Sequence, residues 1–396
     1  MFREWKELFR FRKLEPEDRS IVFYAEDEGY WTYLESLVGE LTGPLGESIC
    51  YVTSSATDPV LETSNERIRP FYIGSGTART TFFASLEAKV MVMTMTDLGN
   101  YHMKRSKHPV HYVYAFHSLV STHMSYRSRS FDNYDSVLCV GPHQTEEIRQ
   151  TEALHGLKSK VLVEAGYGRL DTIIRSRSGE TGPDPNHIRR VLVAPSWGPN
   201  SLLETHGEQL LELLLAQRYL VTLRPHAMAI RLRRSLLKNL QARFGSDPNF
   251  SLDLRPASQG TVEASDLMIC DWGGSALEYA FGLERPVLFI DVPKKVFNPA
   301  YEAISCEPLE VAIRSQIGAV LPPEDLAQLP ELVDGLCSDP GAWRERIREL
   351  RSKWVYNVGA SGSAGAAHVL EAAGQPPEPA AFPAPVGMGP HSRGDV

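Results

Sequence analysis

The chain has 396 residues, 42% of them hydrophobic and 23% charged. At about 150 residues per domain this length fits two domains, and the composition excludes wholesale disorder, a collagen-like rod and a polytopic membrane protein. The formal net charge of -8, from 41 basic and 49 acidic side chains, argues against nucleic acid as the main partner.

Residues 1–14, MFREWKELFRFRKL, place Phe2, Trp5, Leu8 and Phe9 at helical spacing among Arg3, Lys6, Arg10, Arg12 and Lys13. A basic amphipathic helix is expected here, either lying in a membrane interface or packed on its own domain. Residues 15–174 read as a first domain. Ile21 to Ala25 is a buried strand, an acidic turn follows, and Tyr30 to Leu41 is a helix. Further strands are expected at 47–52, 69–73, 90–95, 111–116 and 136–140, the last followed by a helix from Pro142 with Glu146 and Glu147 in its early turns. The stretch 175–187, RSRSGETGPDPNH, reads as a linker. A second alternation fills 188–340, with strands at 190–194, 220–223, 266–270 and 286–290 and helices at 202–217, 230–244 and 275–281. Residues 341–373 hold terminal helices, and 374–396, rich in Pro, Ala and Gly, read as a disordered tail. The fold class is therefore α/β: two Rossmann-like, doubly wound parallel-sheet domains facing a cleft. In such sheets ligands bind at the carboxyl ends of the strands.

Cys50, Cys139, Cys270, Cys306 and Cys337 are odd in number, widely spaced and form no C-x-x-C. They read as reduced thiols of a cytoplasmic protein. There is no apolar core followed by a small-residue cleavage site, so no secretory signal is expected.

The segment ASDLMICDWGGSALEYAFGLERPVLFIDVP, residues 264–293, carries the most chemistry. A strand ends at Asp271, and Trp272, Gly273, Gly274 and Ser275 turn into a helix. Glycines allow close backbone approach, and N–H groups at a helix start favour phosphate. Glu278, one turn in, is placed to accept from ribose hydroxyls; the plainer reading is an ordinary turn capped by Ser275. In YLVTLRPHAM, Arg224 and His226 follow a strand end, where a guanidinium can grip phosphate and an imidazole can donate to it. His117 ends the strand at 111–116, and His117 and His123 are candidates for a general base. Five histidines lie between 102 and 123, but their spacing fits no zinc pattern and no Asp-x-Asp pair occurs, so neither metal nor cofactor is expected. Ser118, Ser196, Trp197 and Arg169, in GYGRLD, complete the expected cleft.

Taken in order, His117, GYGRLD, APSW, RPH and SDLMICDWGGSALEYA followed by RPVLFIDVP resemble the CDP-glycerol glycerophosphotransferase family of bacterial teichoic-acid and capsule synthesis. That family carries a His-Gly pair, then G-x-P-R-x-D, P-T-W, R-x-H-P and a D-Y-S-S turn, and the match covers roughly residues 90–310. The resemblance implies a GT-B fold, with the nucleotide held mainly by the second domain. It implies catalysis by the histidines matching His117 and His226, and donor-phosphate contacts from the turn matching Asp271 to Gly274. This chain departs from the pattern at Ser118 after the first histidine, Gly168 and Ala227 in place of prolines, and Gly273 and Gly274 in place of the two serines. The Gly-Gly-Ser-x-x-Glu arrangement also resembles sugar-nucleotide transferases and epimerases of the same architecture.

The expectation is transfer of glycerol phosphate, or a related polyol phosphate, from CDP-glycerol or a similar donor to a hydroxyl of a lipid-linked or polymeric glycan, releasing CMP. The enzyme would be cytoplasmic, peripheral at the inner face of the cell membrane. A glycosyltransferase using a UDP- or CMP-sugar, or a non-catalytic nucleotide-binding scaffold, would share these features.

Overall fold

The computed structural model describes residues 2–99, 103–177, 188–255 and 260–374. Most of the expected linker, and the tail beyond Gly374, lie outside these residues. Seven strands form the first sheet: β1 (Ile21–Ala25), β2 (Ile49–Thr53), β3 (Ile68–Tyr72), β4 (Val90–Met93), β5 (His111–Ala115), β6 (Ser136–Cys139) and β7 (Val161–Glu164). Their order is β3-β2-β1-β4-β5-β6-β7, all parallel. The second sheet holds β8 (Arg190–Val193), β9 (Leu220–Leu223), β10 (Phe250–Leu252), β11 (Leu267–Cys270), β12 (Val287–Ile290) and β13 (Gly318–Leu321). It repeats the plan, parallel throughout, in the order β10-β9-β8-β11-β12-β13. In each sheet the winding reverses between its first and fourth strands, at β1/β4 and β8/β11, and the crevice at such a reversal is where open α/β sheets bind ligands.

The central strands are apolar runs because helices cover both faces. Alternate residues serve opposite cores: Val22, Tyr24, Met91 and Met93 join one cluster, Ile21, Phe23, Val90 and Val92 another. β7, β10 and β13, which the sequence pattern missed, are short edge strands, half-exposed along part of their length. The expected helix at 202–217 is broken at His206, and that at 230–244 at Arg233, where the backbone leaves helical geometry.

The first helix, α1 (Phe2–Arg12), packs on its own domain. Phe11 meets Phe71 and Phe82 edge-on, with ring centroids 5.4 and 5.1 Å away, and Leu8 is buried beside it. Phe2 and Phe9 nevertheless stay 95% and 54% exposed. The helices α2 (Trp31–Thr42), α3 (Thr77–Ala84), α4 (Pro142–His155) and α5 (Gly168–Ser176) complete the first half of the chain. The helix Ser361–Gly374 returns to the first domain and packs on α2. Glycine permits that approach: a β-carbon at Gly362 would sit 2.7 Å from the Ser36 carbonyl oxygen. Contact between the domains runs through α5 and the helix Ser275–Leu283.

Candidate functional site

β11 ends on Asp271, which is buried. Its Oδ1 accepts from the Ser196 N–H at 2.6 Å and the Trp272 N–H at 2.8 Å, and its Oδ2 accepts from the Leu202 N–H at 2.9 Å and the Ser196 hydroxyl at 3.0 Å. A carboxylate so engaged does not touch phosphate. The expected phosphate contact at Asp271 is corrected to a clamp that ties the loop after β8 to the turn after β11. Ser196 belongs to that clamp and is buried, so it does not line the cleft. The turn itself, Trp272 to Gly274, leads into the helix Ser275–Leu283, whose start no side chain caps, and Ser275 is exposed there. An uncapped helix start of this kind presents N–H groups to an anion.

His226 stands beside this turn, exposed, at the start of a short helix. Its Nδ1 accepts from the Met228 N–H at 3.1 Å, which fixes the neutral tautomer with Nε2–H outward. Desolvation of the ring, and then the Lys295 ammonium, lower its pKa to about 4. Lys295 was not singled out from the sequence. Its Nζ lies 4.3 Å from the Trp197 ring centre and 5.4 Å from that of Phe297, and burial lowers its pKa to about 8. Trp197 tilts against His226 with ring centres 6.1 Å apart. Arg224 is half-buried nearby, its pKa lowered by burial against the opposing pull of Asp253.

A second group gathers around His117. Tyr30, Tyr33 and Tyr126 surround the imidazole, with ring centres 5.6, 6.0 and 5.7 Å away. Burial lowers its pKa to about 4, so the ring is neutral through the physiological range. One ring nitrogen donates to the Thr94 carbonyl. The Tyr114 hydroxyl lies 3.4 Å from Nδ1, too long for a strong hydrogen bond. Glu278 feels this histidine across the cleft. Its Oε1 accepts from the Tyr167 hydroxyl at 2.6 Å and its Oε2 from Arg169 Nε at 2.8 Å. The ribose role expected for Glu278 therefore gives way to a bridge between domains, with Tyr33 under the Arg169 guanidinium at 5.6 Å. No local pattern signals this tyrosine cage: in the sequence Tyr30 and Tyr33 look like an aromatic helix start.

His123 lies elsewhere. It is buried, its Nε2 3.1 Å from the Cys306 carbonyl oxygen and its Nδ1 3.4 Å from Glu147 Oε1. The general-base reading of His123 is corrected to a place in an interdomain seam. In that seam Ser121 donates from its N–H and hydroxyl to Glu310 at 2.8 and 2.7 Å, and the Phe297 N–H donates to the Met124 carbonyl at 3.0 Å. The loop that follows His117 is thus fastened to the loop that carries Lys295.

The departures at Ser118 and Gly274 meet in space. A β-carbon on Gly274 would overlap Ser118 Oγ. The family pattern pairs glycine after the first histidine with serine in the turn; this chain pairs serine after the histidine with glycine in the turn. At Gly273 a β-carbon would press on Cys270 Sγ at 3.2 Å and Ser275 Oγ at 3.3 Å. Among the described residues no group of three or more His, Cys, Asp or Glu side chains is arranged to hold a metal ion.

No family model matches the chain, and no curated protein matches it. Solved structures do. The wall teichoic acid polymerase TagF is 15% identical, covering 93% of this chain and 95% of its own, with a TM-score of 0.54. A putative UDP-N-acetylglucosamine 2-epimerase from Listeria monocytogenes is 11% identical over 88% and 93%, with a TM-score of 0.56. The UDP-GlcNAc 2-epimerase of Methanocaldococcus jannaschii, in complex with UDP-GlcNAc and UDP, is 12% identical over 89% and 99%, with a TM-score of 0.53. The chain has the GT-B-like fold of these proteins.

Proposed function

We propose that this chain is a transferase that moves glycerol phosphate, or a related polyol phosphate, from a CDP-linked donor to a hydroxyl acceptor. The observation that carries this reading is the division of labour across the cleft: His226, Lys295, Arg224 and an uncapped helix start on the second domain, and a neutral His117 on the first. The likeness to TagF, and to an epimerase in complex with UDP-GlcNAc and UDP, agrees with a nucleotide-linked donor.

In this reading the second domain neutralises the donor diphosphate. His117 takes the proton of the acceptor hydroxyl, whose oxygen forms a bond to the distal phosphorus. The bond from that phosphorus to the bridging oxygen breaks, and CMP leaves with the electron pair. The outward N–H of His226 and the ammonium of Lys295 stabilise the charge that develops on the leaving group. Removing such a donor costs on the order of 10²–10³ in rate. His226→Ala and Lys295→Ala should each lower CMP release from CDP-glycerol by about that factor at unchanged thermal stability.

Phosphorus NMR of the product decides the reaction class. A new phosphodiester supports the proposal. A glycosidic product from a UDP- or CMP-sugar would make the chain a glycosyltransferase, and nucleotide binding without turnover would make it a scaffold. Attachment to a membrane is part of the proposal, through the basic helix α1 with its exposed Phe2 and Phe9. Among the described residues no helix is long and apolar enough to cross a membrane.

A further inference from the structure

The winding of the first sheet reverses between β1 and β4, so the crevice there has the topology of a ligand site. Glu26 follows β1 directly, Thr94 follows β4, and Arg79 reaches in from α3. Tyr24 at the end of β1 and Ser54 at the end of β2 form its floor. The two hydroxyls are 2.8 Å apart, and the Ser54 hydroxyl donates to the Gly74 carbonyl at 2.7 Å. Arg79 Nη1 touches this chain weakly, 3.5 Å from the Tyr24 oxygen.

Two polar atoms in this crevice lack what burial demands. Arg79 Nε is buried with no hydrogen-bond partner. Thr94 Oγ1 is buried with none either, on a residue only 1% exposed. Glu26 and Arg79 influence each other electrostatically, yet no ion pair or hydrogen bond joins them among the described residues. Burial raises the Glu26 carboxyl to about 7; Arg79 opposes this, while Asp27 and Asp97 add to it, and Tyr24, Tyr30 and Tyr134 are its other titratable neighbours. Leaving buried polar groups unpaired costs about 1–3 kcal/mol each, which a native structure tolerates chiefly at functional sites.

We propose that the crevice bounded by Glu26, Arg79 and Thr94 binds two neighbouring hydroxyls of a polyol or sugar. Above about pH 7, where Glu26 is ionised, one ligand hydroxyl donates to its carboxylate and another accepts from Arg79 Nε. A hydroxyl suits this point because it can both donate and accept, as Glu26 and Arg79 Nε side by side require. Thr94 connects the crevice to the His117 cage, since its carbonyl accepts from the imidazole. A hydroxyl held here is thereby led toward the group that takes its proton. In this sense the inference rests on the transferase reading and gives it the acceptor's chemistry: adjacent hydroxyls, as on a polyol chain or a sugar ring.

The test uses the full chain and three probes: ribitol and glycerol, which carry adjacent hydroxyls, and 1,3-propanediol, which does not. Saturation-transfer NMR at pH 8, where Glu26 is ionised, should show ribitol and glycerol binding to the wild type, with signal reduced at least fivefold in Glu26→Gln and in Arg79→Ala, and little signal from 1,3-propanediol. CMP binding should be unchanged in both variants. Absence of polyol binding to the wild type, or wild-type signals in both variants, overturns the proposal.

A second measurement needs no ligand. The folded protein holds the Glu26 proton up to about pH 7, whereas an unfolded chain loses it near the ordinary carboxyl value. Ionisation therefore weighs against the fold as pH rises between those values. Glu26→Gln should raise the melting temperature at pH 8, and the gain should vanish by about pH 4. A lowered melting temperature at pH 8 would make Glu26 a structural ion partner and overturn the open crevice. Polyol binding by a wild type that forms no CMP would leave the hydroxyl site standing and remove the transferase reading instead.

Discussion

At the carboxyl edge of the second sheet, where its strands end, Asp271 commits its carboxylate to four hydrogen bonds inside the protein, while His226 and Lys295 stand at the cleft surface. At the edge of the first sheet the pattern is inverted. His117 is caged by tyrosines, and no ion pair joins Glu26 to Arg79 among the described residues. Both edges come from the same winding, so topology does not distinguish them. What distinguishes them is which sign of charge is satisfied internally. The second edge satisfies its anion and keeps the Lys295 ammonium and the His226 N–H at the cleft, which suits a diphosphate. The first leaves the Arg79 Nε–H and the Thr94 hydroxyl without partners, which suits neutral groups that donate and accept at once.

If that contrast is right, removing the two carboxylates has opposite consequences. Asp271→Ala strands the buried N–H groups of Ser196, Leu202 and Trp272, at a cost of about 3 kcal/mol or more. Urea denaturation should show that loss, and nucleotide binding should fall with it because the phosphate turn loses its anchor. Glu26→Gln should stabilise the protein at pH 8, as argued above. A destabilisation of similar size in both variants would erase the distinction between a clamp and an open site.

A smaller effect tests the point where the edges touch. Gly274→Ser places a β-carbon on Ser118 Oγ and should weaken CMP binding about tenfold. Ser118→Gly in the same chain removes the obstacle and should restore binding to within about threefold. Contacting residues show such coupling, whereas distant ones add. Strict additivity in the double-mutant cycle would mean that the exchange of serine and glycine between these positions is not compensatory.

The strands that sit at sheet centres were legible, because burial on both faces forces continuous apolar runs such as Ile21 to Ala25. So were the loops after β9 and β11, where Arg224, His226 and the glycine turn fall at strand ends. The chemistry of individual residues was less so. Asp271 carries the same letter whether it faces phosphate or three backbone N–H groups, and only the loop from Ser196 to Leu202, distant in sequence, decides between them. Glu278 resembles a ribose ligand in its local sequence because its partners Tyr167 and Arg169 lie 111 and 109 residues away. Glu26 sat in an acidic turn, EDE, that reads as a solvated surface. Its significance comes from the neighbouring strand β4 and from Arg79, neither of which a local pattern reveals.

The gentlest perturbation concerns the outer face of the first domain. α1 uses Leu8 and Phe11 to hold the domain core, so deleting residues 1–14 would damage the fold and say little about membranes. Phe2 and Phe9 are seven residues apart and share the exposed face with Lys6, Arg10 and Lys13. Burying a phenylalanine is worth about 1.5–3 kcal/mol, and each cation near an anionic surface adds about 1 kcal/mol. A Phe2→Ser, Phe9→Ser double variant should lose roughly tenfold or more of its binding to phosphatidylglycerol vesicles, while its melting temperature and CMP binding stay as in the wild type. The crevice at Glu26 belongs to the same domain as α1. Attachment through α1 would therefore bring the hydroxyl-binding edge toward a lipid-linked acceptor and leave the second edge to collect a soluble nucleotide. Equal vesicle binding by the variant and the wild type would detach the first edge from the membrane and leave the contrast between the edges a matter of charge alone.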